Sequence, residues 1–208
     1  MQTYMSLIAI TGALAAGAVS PGPSFIFVAR NAISLSRRHG FATALGMGSG
    51  ALIFSVIAIL GLHAVFSAVP VTFWLLKIVG GGYLVFLAAK ILLSARKPLQ
   101  ALESNRTATF SPWRAYIFGL FTQLSNPKTA IVFAGVFSAL LPQNIPPYFY
   151  AVIPLVTFCV DAGWYSIVAF VLSSEKPRKA YLRFKTVIDS TAGCVMGFLG
   201  LKLIFSGK

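Results

Sequence analysis

Six long apolar stretches constrain the fold of this chain more than any other feature of its sequence. A helix needs about 20 apolar residues to cross the roughly 30 Å hydrocarbon core of a bilayer. Each stretch reaches or approaches that length, and the connections between the stretches are short. The sequence therefore predicts an all-α membrane protein with six transmembrane helices. The stretches are residues 7–28, 41–66, 71–93, 116–141, 148–172 and 187–205.

The composition of the chain also favours a membrane protein. Hydrophobic residues make up 57% of the chain and charged residues 10%, whereas about a quarter of the residues of a soluble domain are charged. A cleaved signal peptide starts with a basic region, and residues 1–6 contain neither Lys nor Arg. We therefore expect the first helix to be retained, and the composition argues against an ordinary soluble enzyme.

The basic residues are distributed unevenly along the chain. Of the 17 Lys and Arg residues, 13 lie in or beside three connections, represented by Arg37, Arg106 and Lys179, and residues 63–70 and 141–147 contain none. Because cytoplasmic loops are enriched in Lys and Arg, we expect these three connections in the cytoplasm and both termini in the periplasm of a bacterial inner membrane. The net charge of +13 is then a topology signal. It favours contact with anionic lipid headgroups rather than with nucleic acid.

Two apolar stretches contain the chemistry of a helix start in their interior. Residues 20–23 read Ser-Pro-Gly-Pro, and residues 125–128 read Ser-Asn-Pro-Lys. Ser and Asn favour the N-cap of a helix and Pro favours its first turn. The first and fourth transmembrane helices are therefore predicted to be broken. In a bilayer such a break is tolerated only where protein buries it or where it lines a polar cavity.

The two breaks are predicted at matching depths. Pro21 is about 7 residues, and Asn126 about 10 residues, from the cytoplasmic end of its stretch. At about 1.5 Å per residue both breaks lie about 10 to 15 Å from the cytoplasmic boundary. The two stretches run in opposite directions at equivalent positions of two three-helix halves, which is typical of an inverted repeat. We expect one transmembrane domain over residues 1–208, with repeat one at about 5–95, a cytoplasmic linker at about 96–112 and repeat two at about 113–206.

Three ionisable residues stand out within the predicted spans: Lys128, Asp161 and Asp189. A charge at bilayer depth costs about 2.5 to 3.5 kcal/mol on insertion scales, so each should pair or face a polar cavity. Lys128 and Asp161 are predicted to be functional. Asp189, near the start of the sixth stretch, is predicted either to take part in function or to form a structural pair with Arg183 or Lys185.

The chain offers little for metal or thiol chemistry. Cys159 and Cys194 lack a Cys-x-x-Cys spacing, and neither His39 nor His63 lies deep in a predicted span. A metal centre, a thiol carrier and an intramembrane serine hydrolase are therefore not expected.

Together these motifs resemble the LysE/RhtB family of bacterial amino-acid exporters. The resemblance rests on residues 20–23, on Lys-Ile-Val-Gly-Gly-Gly-Tyr-Leu at residues 77–84, on Ser-Asn-Pro-Lys-Thr-Ala at residues 125–130 and on Asp161. It covers the whole chain and implies an inner-membrane secondary exporter that uses an ion gradient, most often of protons, and needs no cofactor.

Within this family the chain is most similar to threonine and homoserine exporters, through residues 31–35 and 187–189. Some relatives of the threonine type carry an acidic residue directly after Pro-Gly-Pro, whereas this chain has Ser24.

The chemistry of the predicted site suits a zwitterion. Amide groups at the restarted helices and the Lys128 ammonium favour a carboxylate, and Asp161 is the one acid near the predicted midplane that could accept an ammonium. The carboxylate and ammonium of an amino acid would occupy all of these groups, and none would remain for a charged side chain. We therefore expect a substrate with a neutral side chain. The predicted substrate-binding residues are Ser20, Pro21, Gly22, Pro23, Ser24, Asn126, Pro127, Lys128 and Asp161. The predicted proton-coupling residues are Asp161 and Asp189.

Two other functions stay open. An ion or metal transporter of similar architecture would need more acids or thiols at depth than this chain supplies. A membrane scaffold that transports nothing would need no buried charge. The sequence leaves the coupling ion, proton or sodium, undecided, and a homo-oligomer is compatible with it. If Asp161 and Lys128 formed a permanent ion pair, Asp189 or a sodium ion would have to do the coupling.

Overall fold

All regular structure in the described part of the chain is α-helical. The structure is a computed structural model that describes residues 2–20, 22–68, 72–95, 111–142 and 144–205. The all-α prediction is confirmed for these residues, whereas Pro21 and most of the predicted linker lie outside them. Eight helices occur in the described ranges: α1 (Gln2–Val19), α2 (Pro23–Ser34), α3 (Arg37–Ala68), α4 (Thr72–Ser94), α5 (Pro112–Leu124), α6 (Pro127–Leu140), α7 (Phe149–Leu172) and α8 (Glu175–Phe205).

Length and composition identify two helices of the described ranges as candidate membrane spans. They are Arg37–Leu62 within α3 and Phe149–Leu172, which is α7. A third candidate is the bent pair of α1 and α2. The fourth predicted span is divided between α5 and α6, of 13 and 14 residues. The third and sixth stretches are helical in α4 and α8 but include side chains outside the described set. The number of six spans therefore stays a prediction.

Large apolar side chains cover much of the outer surface. Ile8, Leu93 and Phe205 are 70%, 78% and 79% exposed. Such exposure on a soluble protein would mark an interface or an aggregation hazard. In a bilayer these side chains contact lipid tails, which are as apolar as they are. The surface therefore agrees with the membrane location predicted from composition.

The break predicted in the first stretch is confirmed. Helix α1 ends at Val19 and α2 begins at Pro23, with an angle of 57° between the two helices. Gly22 is the N-cap residue and is extended, at φ −151° and ψ −170°. Pro23 follows in the first turn, where its missing N–H removes no intrahelical hydrogen bond.

The break predicted in the fourth stretch is also confirmed. Helix α5 ends at Leu124 and α6 begins at Pro127. Asn126 is the N-cap residue, and its side-chain oxygen accepts a hydrogen bond from the Lys128 backbone N–H at 3.0 Å. This is the capping role expected of Asn ahead of Pro. Both breaks therefore have the helix-start chemistry that the sequence predicts.

The helices pack in a pattern that brings the two breaks together. Helix α3 has its most extensive contacts with α5 and α7, and α4 with α8. Among the broken helices, α1 contacts α6 and α2 contacts α5. The first segment of each broken helix thus meets the second segment of the other. The two breaks, at Gly22 and Asn126, consequently lie on facing helices.

Glycines on α3 allow unusually close approach of two other helices. A Cβ atom at Gly46 would lie 2.1 Å from the Tyr116 carbonyl oxygen of α5, and one at Gly48 would lie 2.7 Å from Ala162 Cβ of α7. Two residues along a helix correspond to a rotation of about 200°, so the two glycines face nearly opposite sides. Helix α3 therefore lies tightly between α5 and α7.

Two apolar clusters flank the region of the breaks. Leu14 and Phe133 belong to the first cluster, and Phe25 and Tyr165 belong to the second. Leu14, Phe133 and Tyr165 also line one polar cavity. The cavity consequently lies between the two apolar cores, where rigid packing positions its polar side chains.

Candidate functional site

A small polar cavity lies where the two helix breaks face the middle of α7. Its free volume is about 20 Å³, which is about enough for one water molecule. A larger solute therefore requires movement of the surrounding side chains or helix segments. The polar lining comes from both breaks and from α7. Its polar side chains are those of Ser24, Gln123, Asn126, Lys128, Thr129, Asp161 and Tyr165, and Gly22 also lines the cavity.

A chain of three hydrogen bonds crosses this cavity. Asn126 Nδ2 donates to Ser24 Oγ at 2.8 Å, and Ser24 Oγ donates to Gln123 Oε1 at 2.6 Å. Gln123 Nε2 in turn donates to Asp161 Oδ2. All four side chains are at most 5% exposed. The chain links the second break, the start of α2, the end of α5 and the middle of α7.

The acid at the end of the chain determines the direction of its hydrogen bonds. An ionised carboxylate can only accept, so Gln123 must turn its NH₂ group towards Asp161. Its carbonyl oxygen then faces Ser24, whose hydroxyl must donate to it. A protonated Asp161 could itself donate, which would allow the amide to reverse. The orientation of these side chains is therefore coupled to the ionisation of Asp161.

Lys128 connects the two helix breaks directly. Its Nζ atom donates to the Ser20 carbonyl oxygen at 2.7 Å and to the Gly17 carbonyl oxygen at 3.2 Å. These carbonyls lie at the end of α1, where backbone oxygens lack intrahelical partners and the helix dipole favours a cation. The aliphatic stem lies against Gly22, since a Cβ atom there would be 3.1 Å from Lys128 Cδ. The side chain thus joins the start of α6 to the end of α1.

Lys128 and Asp161 line the same cavity without forming a direct ion pair. Within the described ranges, no nitrogen–oxygen distance between them is 4.0 Å or shorter. Asp161 Oδ1 has no hydrogen-bond partner among the residues that the structure describes. Lys128 uses two of the three N–H donors of its ammonium group. One acceptor and one donor of opposite charge therefore remain for a bound molecule.

Asp189 lies outside this cavity. Lys185 Nζ donates to Asp189 Oδ2 at 2.7 Å and to the Ala95 carbonyl oxygen at 3.3 Å. The sequence analysis predicts a pair with Arg183 or Lys185 as one of two roles of Asp189, and the pair with Lys185 is confirmed. It lies within α8 and attaches that helix to the residue that follows α4.

Most of the predicted site residues are brought together. Gly22, Ser24, Asn126, Lys128 and Asp161 line the cavity. Ser20 contributes its carbonyl oxygen to Lys128, while Pro23 and Pro127 start the two restarted helices. The Pro127 side chain and the whole of Pro21 lie outside the described set.

Gln123 is the central residue that the sequence analysis missed. It is 2% exposed and connects Ser24 to Asp161. A sequence signal for it exists, because a buried amide without a partner is costly and Gln123 lies in an apolar stretch three residues before Asn126. Tyr165, one turn after Asp161 on α7, also lines the cavity and is 5% exposed.

The described residues contain no group of three or more His, Cys, Asp or Glu side chains that could hold a metal ion. Both cysteines are exposed and unpaired in the described ranges. The charges at the cavity therefore come from one lysine and one aspartate.

The chain is similar in sequence to several curated membrane proteins. The threonine efflux protein of Salmonella typhimurium (strain LT2) is 32% identical over 193 residues, covering 90% of this chain and 92% of that protein. The threonine efflux protein of Escherichia coli (strain K12) is 30% identical over 189 residues, again covering 90% and 92%. An uncharacterized membrane protein of Haemophilus influenzae is 30% identical over 200 residues, covering 92% of each chain. No solved structure matches the chain significantly.

The family assignment follows from a match that includes both helix breaks. The model of the LysE type translocator family matches residues 15–207, which confirms the family resemblance seen in the motifs. The chain belongs to the LysE type translocator family, and it is a membrane transporter rather than an enzyme.

Proposed function

We propose that this chain exports neutral amino acids, such as threonine or homoserine, from the bacterial cytoplasm by proton antiport. The observation that carries the proposal is the cavity in which the unused acceptor of Asp161 and the unused donor of Lys128 face one space. The names of the curated relatives, threonine efflux proteins, support an amino acid as the substrate.

In this proposal the substrate binds through its two backbone charges. The ammonium group approaches Asp161 Oδ1, and the carboxylate approaches Lys128 and the N-terminal end of α2. Helix N-termini favour anions because the helix dipole is positive at that end. The substrate side chain contacts the apolar wall formed by Leu14, Val132 and Phe133. Among the described cavity residues no third charge is left, which favours a neutral side chain.

For the architecture we propose one transmembrane domain of six spans in two inverted repeats, at about residues 5–95 and 113–206. The contacts of α1 with α6 and of α2 with α5 support it, because two broken helices that run in opposite directions meet in this way. The contacts between the equivalent helices α3 and α7, and between α4 and α8, fit the same symmetry.

The distribution of basic residues supports an orientation with both termini in the periplasm. With Cys159 and Cys194 replaced by Ala, a single cysteine at Gln143 should react with an impermeant maleimide on intact cells. A single cysteine at Ser104 should react only after permeabilisation. The opposite pattern would invert the proposed topology.

For coupling we propose that Asp161 alternately holds the substrate ammonium and a proton. Substrate and proton then compete for one carboxylate, which is the simplest basis for antiport. The hydrogen-bond chain through Gln123 and Ser24 transmits this change to α2 and to the second break. Asp189 is a second candidate for proton transfer, at the contact between α4 and α8.

Efflux from proteoliposomes tests the proposed function. The purified protein is reconstituted in vesicles loaded with radiolabelled threonine, homoserine or lysine, with and without an imposed pH gradient. We expect efflux of threonine and homoserine to be faster with the gradient, and lysine to leave at the rate of protein-free vesicles. A rate equal to that of protein-free vesicles for every amino acid would contradict export. A response to a sodium gradient alone would replace the proton as the coupling ion.

The same vesicles distinguish the two other functions. A metal transporter would move divalent cations detected by a dye inside the vesicle, and it would be indifferent to threonine. A scaffold would move neither solute.

A further inference from the structure

A second groove lies along the contact between α2 and α5. Its free volume is about 360 Å³, within the range of about 300 to 1,000 Å³ typical of small-molecule sites. Both helices contribute polar and aromatic side chains to it. The lining that matters here is Phe27, Arg30, Asn31, Ser34, Phe118 and Thr122.

The groove is adjacent to the central cavity in helix register. Ser24, Phe27 and Asn31 are spaced i, i+3 and i+7 and therefore share one face of α2. Ser24 lines the cavity, whereas Phe27 and Asn31 line the groove. On α5, Thr122 of the groove precedes Gln123 of the cavity. The two spaces are thus about one helical turn apart, or about 5 Å along α2. Under the proposed orientation the groove is on the cytoplasmic side.

The Arg30 guanidinium is available to an anion. It has no hydrogen-bond or ion-pair partner among the residues that the structure describes. Arg37, by contrast, donates to Ser173 and Ser174 and lies over the ring of Phe170. A guanidinium presents paired N–H donors that match the two oxygens of a carboxylate. Arg30 therefore offers bidentate binding that the structure does not use internally.

Asn31 offers the complementary acceptor. Its Nδ2 atom donates to Thr43 Oγ1 at 2.9 Å, and Thr43 Oγ1 donates to the His39 carbonyl oxygen at 2.8 Å. These bonds fix the orientation of the amide. The Asn31 side chain lines the groove and is 5% exposed. Asn31 Oδ1 has no partner in the described part of the chain. A zwitterion could therefore bind with its carboxylate on Arg30 and its ammonium on Asn31.

We propose that this groove is a second amino-acid site, which the substrate occupies before it passes Phe27 into the central cavity. The inference rests on the proposed export of amino acids and adds a location and two ligands to it. Ser34 and Thr122 supply hydroxyl groups, and Phe118 supplies an apolar surface for the substrate side chain.

Inverted membrane vesicles test this site, because they present the cytoplasmic face to the medium. Threonine uptake is measured against concentration for wild type, Arg30→Gln, Arg30→Lys and Arg38→Gln. Arg38 is the matched control, since it is exposed, basic and close in sequence but does not line the groove. We expect Arg30→Gln to raise the half-saturating concentration by about tenfold, as for loss of a charge-assisted hydrogen bond. Arg30→Lys should give a smaller increase, and Arg38→Gln should follow wild type.

Right-side-out vesicles complete the test. There the half-saturating concentration of Arg30→Gln should follow that of Arg38→Gln, because the groove faces the other side. Equal curves for Arg30→Gln and Arg38→Gln in inverted vesicles would overturn the second site and leave export intact. A wild type that transports no amino acid would overturn the proposed function together with this site.

A phospholipid phosphate is the other anion that Arg30 could hold. The comparison of Arg30→Gln with wild type is therefore repeated in proteoliposomes of phosphatidylcholine alone and with added phosphatidylglycerol. A difference that persists without the anionic lipid supports the substrate site. A difference that needs phosphatidylglycerol would assign Arg30 to lipid and overturn the proposal.

Discussion

Asp161→Asn is expected to abolish threonine efflux driven by an imposed pH gradient, with a loss of about two to four orders of magnitude. Removing one partner of a buried charge pair costs about 3 to 5 kcal/mol, and the substrate ammonium would lose that partner. The replacement keeps the size of the side chain and an oxygen that can accept from Gln123. The effect should therefore reflect the lost charge rather than a rearranged cavity.

Two further measurements make this result specific. Asp189→Asn removes a carboxylate of the same type from outside the cavity, where it pairs with Lys185. Because this breaks a buried ion pair, we expect a lower thermal stability, and we expect the folded variant to retain gradient-driven efflux. Exchange of internal for external threonine without a gradient should also fail in Asp161→Asn, because Asp161 is proposed to bind the substrate as well as protons. If Asp161→Asn still exports threonine against its gradient and moves protons, Asp161 is structural. If only Asp189→Asn loses coupling, the proton site belongs to α8.

The second large effect is expected for Lys128→Met. This change keeps an unbranched side chain, shorter by one atom, but removes the ammonium that would hold the substrate carboxylate. We expect the half-saturating concentration of threonine to rise by about 10- to 100-fold, since hydrogen bonds to charged groups contribute about 1.5 to 3 kcal/mol. Loss of the contacts to the Gly17 and Ser20 carbonyls should also lower the thermal stability of the purified protein.

A substrate analogue separates binding from stability. Threonine amide keeps the ammonium and lacks the carboxylate, so it should inhibit wild-type exchange far less than threonine does. In Lys128→Met the two compounds should inhibit equally. Lys90→Met is the control, because Lys90 is an exposed lysine of α4 outside the cavity, and it should keep the discrimination. Full discrimination in Lys128→Met would mean that the carboxylate binds elsewhere.

The helix breaks could be predicted because their chemistry is local. Asn126 caps α6 through an atom two residues away, and Pro23 restricts its own backbone, so four residues suffice to predict each break. The Lys185–Asp189 pair is similarly local, with a spacing of i, i+4. Apolar length alone would predict one continuous helix over residues 116–141, whereas the Asn-Pro pair divides this stretch into α5 and α6.

The contacts of Lys128 could not be predicted in this way. Its ammonium binds carbonyls 108 and 111 residues earlier in the chain, and only the packing of α1 on α6 makes them neighbours. A charge at bilayer depth predicts an anionic partner for Lys128, whereas its observed partners are backbone oxygens, which no side-chain pattern in the sequence indicates. Gln123 escaped notice for a related reason, since a neutral amide is less conspicuous than a charge in an apolar stretch.

Two glycines of α3 allow α5 and α7 to lie close together beside the polar cavity. A Cβ atom at Gly50 would lie 2.7 Å from Gln123 Cβ, and one at Gly48 would lie 2.7 Å from Ala162 Cβ, next to Asp161. Because glycine has no side chain, α5 and α7 both pack directly against the backbone of α3. One methyl group at either position would push apart the two helices whose side chains meet in the Gln123–Asp161 hydrogen bond. Gly48 and Gly50, which do not line the cavity, therefore set the distance between Gln123 and Asp161, which do.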